Sequence, residues 1–159
     1  MKKVFVILGF AVALGGAALL FNREGQAIAQ GASETNTVSV EEGRVLYVEN
    51  CASCHGVNLE GQPNWRSKGD DGRLPAPPHN ERGHTWHHGD GLLFSYTKLG
   101  GKAALAELGM DFDSGMPGFG ETLSEAEIWG IIDYMKSTWS ERMLKTQAER
   151  TENEKMSGN

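Results

Sequence analysis

Cysteine is scarce in this chain, with two residues in 159. That is too few for a disulfide-built mini-protein or a four-cysteine zinc site. Positive charge is short as well: 15 Lys and Arg stand against 21 Asp and Glu, a net of −6. Such a balance argues against nucleic acid as the main partner. Nowhere does apolar and polar alternation with period two run long enough to specify a strand. Proline is confined to the middle, all five residues falling between Pro63 and Pro117. Glycine is plentiful instead, at 21 residues, roughly twice the average usage and a sign of a loop-rich fold. With 39% hydrophobic and 23% charged residues, the chain is neither a disordered acidic segment nor a polytopic membrane protein.

The N-terminus stands apart. Met1-Lys2-Lys3 precedes an uninterrupted apolar run from Val4 to Phe21, the pattern of an export signal or a single membrane anchor. As a helix its 18 residues would reach roughly 27 Å, just short of the ~30 Å hydrocarbon core. The run is also longer than the apolar stretch of most cleaved signals, although Ala27-Ile28-Ala29 offers a cleavage site. Residues 1–21 therefore read as a signal peptide or membrane anchor, with the anchor favoured. Lys2 and Lys3 stay inside, and everything after Phe21 is exported. Residues 22–37 are short and polar and read as a flexible linker. Residues 141–159 are charged and nearly free of apolar side chains, which reads as a frayed helical extension or a disordered polar tail. One folded domain is left, over residues 38–140.

Within it, Ser39-Val40-Glu41-Glu42 is a capping box that opens a helix carrying Gly43, Leu46, Tyr47 and Asn50 along one side. A second box, Ser124 to Glu127, opens a helix with Ile128, Ile131, Ile132 and Met135 spaced as one buried stripe. Glu125 and Lys136 fall on its solvent side. Shorter helices are expected at 90–99, with Asp90 as cap and Gly100 as stop, and at 102–108 before Gly109. The fold class is all-α, with few helices and long loops. That much loop buries too little apolar surface to be stable alone, so a large apolar cofactor is expected to complete the core.

Cys51-Ala52-Ser53-Cys54-His55 is the C-x-x-C-H pattern of covalent haem c attachment. Two thiols three residues apart can reach both vinyl groups of one porphyrin, and the adjacent imidazole turns to the iron. A redox dithiol would want a βαβ surround, and a zinc site a fourth ligand. Met116, in the loop Ser114-Gly115-Met116-Pro117-Gly118-Phe119-Gly120, is the expected second axial ligand, since a thioether on a Gly/Pro loop can approach iron closely. Met110 and Met135 lie within apolar patterns and read as core. A His/Met pair closes the iron and raises its potential, favouring electron transfer over catalysis. Arg73 and Trp65 are candidate donors to the haem propionates, with a surface arginine and a packing tryptophan as the plainer reading.

These motifs resemble the class I c-type cytochromes over about residues 38–140. Gly43 and Tyr47 stand where that family places the small and aromatic residues of its first helix. The resemblance implies that they pack against Ile131 and Tyr134 of the last helix, and the ending IIDYMKSTW is similar to bacterial members. PNWR, LPAPPH and GHTWHH resemble a bacterial subgroup of monohaem cytochromes, which implies that the exported part lies on the periplasmic side of a bacterial inner membrane, anchored or, if cleaved, soluble. The resemblance further implies that a proline carbonyl orients the haem histidine, with Pro75, Pro77 and Pro78 as candidates. The implied function is single-electron transfer between redox protein partners, a terminal oxidase among the candidates for acceptor. Two other classes stay open: a haem enzyme or gas sensor with a labile sixth ligand, and a copper-linked redox protein. The second would use His79, His84, His87 and His88, which can bind copper or zinc, supply a haem ligand in place of Met116, or simply pack in the loop.

Overall fold

A computed structural model describes residues 37–158, and the expectations for 1–21 and nearly all of 22–37 lie outside the described residues. Among the described residues there are six helices, in this order: α1 (Val40–Asn50), α2 (Ala52–His55), α3 (Asp90–Leu99), α4 (Gly101–Glu107), α5 (Glu125–Ser137) and α6 (Glu141–Ser157). A 3-10 turn at Thr85–His87 interrupts the long connection between α2 and α3. Among the described residues there is no strand, as the missing period-two alternation implied. None of the described helices is long and apolar enough to cross a membrane.

Both capping boxes form. Ser39 accepts from the Glu42 amide while the Glu42 carboxylate takes the Ser39 amide, and Ser124 with Glu127 repeats the arrangement at α5. The two capped helices make the central crossing. Its closeness depends on glycine, because a Cβ on Gly43 would overlap the backbone carbonyl of Gly130. Tyr47 is fully buried beside Tyr134, ring centroids 5.4 Å apart. Ile128, Ile131, Ile132 and Met135 are all buried, forming the stripe that the spacing predicted.

Several local expectations are corrected. Asp90 does not cap α3. Gly89 is the cap residue, and the Asp90 carboxylate accepts from Lys136 Nζ at 2.9 Å and Gln147 Nε2 at 2.7 Å. Lys136 is consequently half-buried, not a free surface lysine. Met110 is exposed, because α4 ends at Glu107 and Gly109 turns the chain outward with φ 72°. Residues 141–157, read as a frayed extension or disordered tail, form an ordered helix docked on the 3-10 turn and on α3.

The docking of α6 explains why composition missed it. Met143 and Gln147 are buried, and Thr151 and Glu154 continue the same face. Glu154 accepts from the amides of Gly89 and Gly91 at 3.0 and 2.9 Å, and Thr151 Oγ1 accepts from the Asp90 amide at 3.0 Å. The first turn of any helix has amides without internal partners, and a carboxylate there is also favoured by the helix dipole. The cap of α3 is thus supplied by α6. A face built from hydrogen-bonding side chains leaves no apolar stripe to read.

Candidate functional site

α1 ends at Asn50 and the chain kinks at Cys51 into the single turn of α2, which carries Cys54 and His55. Both thiols are free, Cys51 buried and Cys54 exposed. Burial, reinforced by the neighbouring Cys54, pushes the Cys51 thiol up to about 11. His55 is buried, and its Nδ1 lies 2.8 Å from the carbonyl of Pro77. A carbonyl only accepts, so Nδ1 carries the proton and Nε2 keeps its lone pair for a metal. Burial also pushes the His55 pKa down, against the opposing pull of Pro77. Of the three prolines weighed from the sequence, Pro77 holds the orienting position.

The Met116 loop is tied to the junction of α3 and α4. Gly101 N–H donates to Met116 O at 3.1 Å, Phe119 N–H to Thr97 O at 3.0 Å and Gly120 N–H to Lys98 O at 2.9 Å. Gly100 permits this approach. Its φ of 85° lies in the left-handed region, and a Cβ there would come 2.7 Å from Gly118 N and 3.0 Å from Met116 O. The Met116 amide donates to Ser114 Oγ at 3.2 Å, and its side chain is partly buried. The loop is therefore held by backbone bonds at the methionine and after it, and by the Ser114 hydroxyl before it.

The other sequence candidates are placed differently. Arg73 is exposed and engaged by Asp113, with Nε to Oδ2 at 3.0 Å and a second bond at 3.2 Å. Trp65 meets the Arg66 guanidinium, 4.0 Å from its ring centre, and His84, stacked at 5.4 Å. Trp86 is the informative side chain. It is buried, and its Nε1 has no partner. A buried donor left unpaired costs free energy unless something absent from the chain accepts from it. The signal available in sequence was its place amid the histidines.

The histidines disperse. His79 stacks on His55, His84 on Trp65 with an edge toward His88, and His87 lies against Trp86 at 3.7 Å. Burial pushes the pKa values of His84 and His88 down, and the neighbouring imidazoles add to it. Among the described residues no group of three His, Cys, Asp or Glu side chains is placed to hold a metal ion. Adjacency along the chain does not bring the four imidazoles to one point, so the copper reading loses its geometric basis.

These groups suit a covalently attached porphyrin: two thiols not joined to each other, a neutral imidazole with Nε2 bare, a tethered thioether loop and an orphaned indole donor. A comparison with protein families agrees with that chemistry, the family model described as cytochrome c matching residues 40–139. No curated protein and no solved structure matches the chain. With a match over most of its length, on an all-α fold, the chain belongs to the cytochrome c family.

Proposed function

We propose that this c-type cytochrome passes single electrons through one haem c, between redox proteins on the exported side of a bacterial inner membrane. Its family is one of haem-based electron carriers, and the chain contains one C-x-x-C-H motif. The observation that carries the reading is the Pro77 bond to His55 Nδ1, which leaves Nε2 beside two unpaired thiols. Cys51 and Cys54 anchor the porphyrin, His55 and Met116 supply the axial ligands, and Trp86 replaces Trp65 and Arg73 as the donor for a propionate. When bound, the haem supplies a one-electron iron couple. The protein's part is to orient the imidazole, to hold the methionine close and to keep water and small ligands off the iron. The acidic surface suits partners with basic residues around their own exchange site.

The test is spectroscopic. The oxidised holoprotein is expected to show a sulfur-to-iron charge-transfer band, and the reduced form to bind carbon monoxide poorly. Met116→Ala should abolish the band and open the iron to carbon monoxide. A band that survives this substitution would refute the ligand assignment, and ready carbon monoxide binding by the unaltered protein would favour the sensor or enzyme reading.

The same proposal makes residues 1–21 a tether. The protein is expected to stay with membranes through a high-salt wash, because apolar insertion is not screened by salt. An intact mass for a chain starting at Gln30 would instead establish a cleaved, soluble carrier. A tether restricts the haem domain to partners near the same membrane.

A further inference from the structure

We propose that His79 is a positioning residue that fixes the plane of the His55 imidazole. The inference rests on His55 being an iron ligand, and it concerns what holds that ligand still. The two rings are stacked with centroids 4.1 Å apart and planes within 25°. The Pro77 carbonyl restrains His55 in the plane of its ring, through Nδ1. In-plane restraint alone leaves the ring free to rock out of plane about that bond. His79 stands on the face of the ring and blocks the movement on that side.

A wall works only if it is itself fixed, and His79 is fixed from several directions. Its N–H donates to Leu59 O at 2.9 Å, and its carbonyl accepts from Trp139 Nε1 at 2.7 Å. Its Nδ1 lies 2.8 Å from Thr85 Oγ1, which in turn reaches the carbonyl of Pro78 at 3.5 Å. The Tyr47 ring meets it edge-on at 6.1 Å. Leu59 holds an unfavourable left-handed conformation, φ 63°, at the point where its carbonyl receives the His79 amide. Strain of this kind persists only where surrounding structure over-determines it. A leucine could fill the same space, but it would offer neither a flat face nor a bond to Thr85.

Side chains around a metal ligand orient it and tune the metal. The plane of an axial imidazole sets how unpaired spin is spread over a ferric porphyrin, so the haem methyl resonances and the largest electron paramagnetic g-value report that plane directly. In the oxidised full-length holoprotein, His79→Ala is expected to lose the unaltered protein's methyl pattern and shift the g-value. His79→Phe keeps a flat wall but loses the bond to Thr85, so it should bring the pattern back as far as that of Thr85→Val. Thr85→Val frees the wall and should produce a smaller displacement in the direction of the alanine variant.

A merely structural role would lower the melting midpoint of His79→Ala while leaving the methyl pattern unmoved, and that result overturns the proposal. So does a phenylalanine variant whose pattern lies no nearer the unaltered one than that of the alanine variant. Should His79→Ala not accumulate, an unmoved pattern in Thr85→Val overturns it equally. Covalent haem is measured on every sample. Its absence from the unaltered protein would strike the haem reading itself, whereas normal attachment with unmoved spectra strikes only the role of His79.

Discussion

Cys51→Ala with Cys54→Ala is expected to leave no covalently bound haem, and to cost the domain its stable fold. The apolar core is small for its length. The segment between His55 and Asp90 contains one 3-10 turn and otherwise no regular structure. Connections of that length rarely hold themselves together without a function or a ligand to organise them. Small domains are marginal unless something adds buried surface. Haem staining on a denaturing gel and thermal melts followed by circular dichroism check both parts. Each single substitution keeps one anchoring thiol and should fall between the extremes. A double variant that retains covalent haem, or that melts with the unaltered midpoint, would contradict the assignment of the attachment site.

Gly43→Leu carries the second large effect. A Cβ at this position would overlap the Gly130 carbonyl and its carbon, which are backbone atoms and cannot swing aside. Opposite it, a Cβ on Gly130 would meet Val38 Cβ at 2.8 Å, so the crossing is full from both sides. The expected cost is about 3 kcal/mol, the upper end for overpacking, read as a drop in denaturant midpoint of the holoprotein. Glu125→Gln is the control: it disturbs one exposed ion pair with Lys98 and should stay within about 0.5 kcal/mol. Lys136 cannot serve as the control, since it is half-buried against Asp90. Equal midpoints for Gly43→Leu and Glu125→Gln would mean that α1 and α5 do not cross at these glycines.

What could be read from the sequence divides along physical lines. Capping boxes and apolar spacing act over four to eight neighbouring residues, so α1, α5 and the stripe from Ile128 to Met135 were legible. The C-x-x-C-H pattern is local in the same sense. Pro77 could not be told from Pro75 or Pro78, because the choice depends on where the loop carries each carbonyl relative to His55. Trp65 and Arg73 were plausible donors by type, yet His84 and Asp113 engage them through contacts between distant segments. The docking of α6 was hidden for another reason. Its contact face uses Gln147, Thr151 and Glu154, which read as solvent-facing until their partners on α3 are known. The same polar disguise concealed Lys136.

That borrowed cap has a kinetic consequence. Thr151 and Glu154 emerge 61 to 65 residues after the amides they cap, so the first turn of α3 lacks its outside partners over that stretch of synthesis. The loop bearing Pro77 and His79 is likewise pinned late, by Trp139. Long-range closures of this kind are slow compared with local helix formation. A chain that emerges from its N-terminus therefore presents Cys51 and Cys54 early, before the walls around His55 are assembled. The distance in sequence between the thiols and α6 acts as a delay, and that interval is when attachment chemistry has free access to both sulfurs.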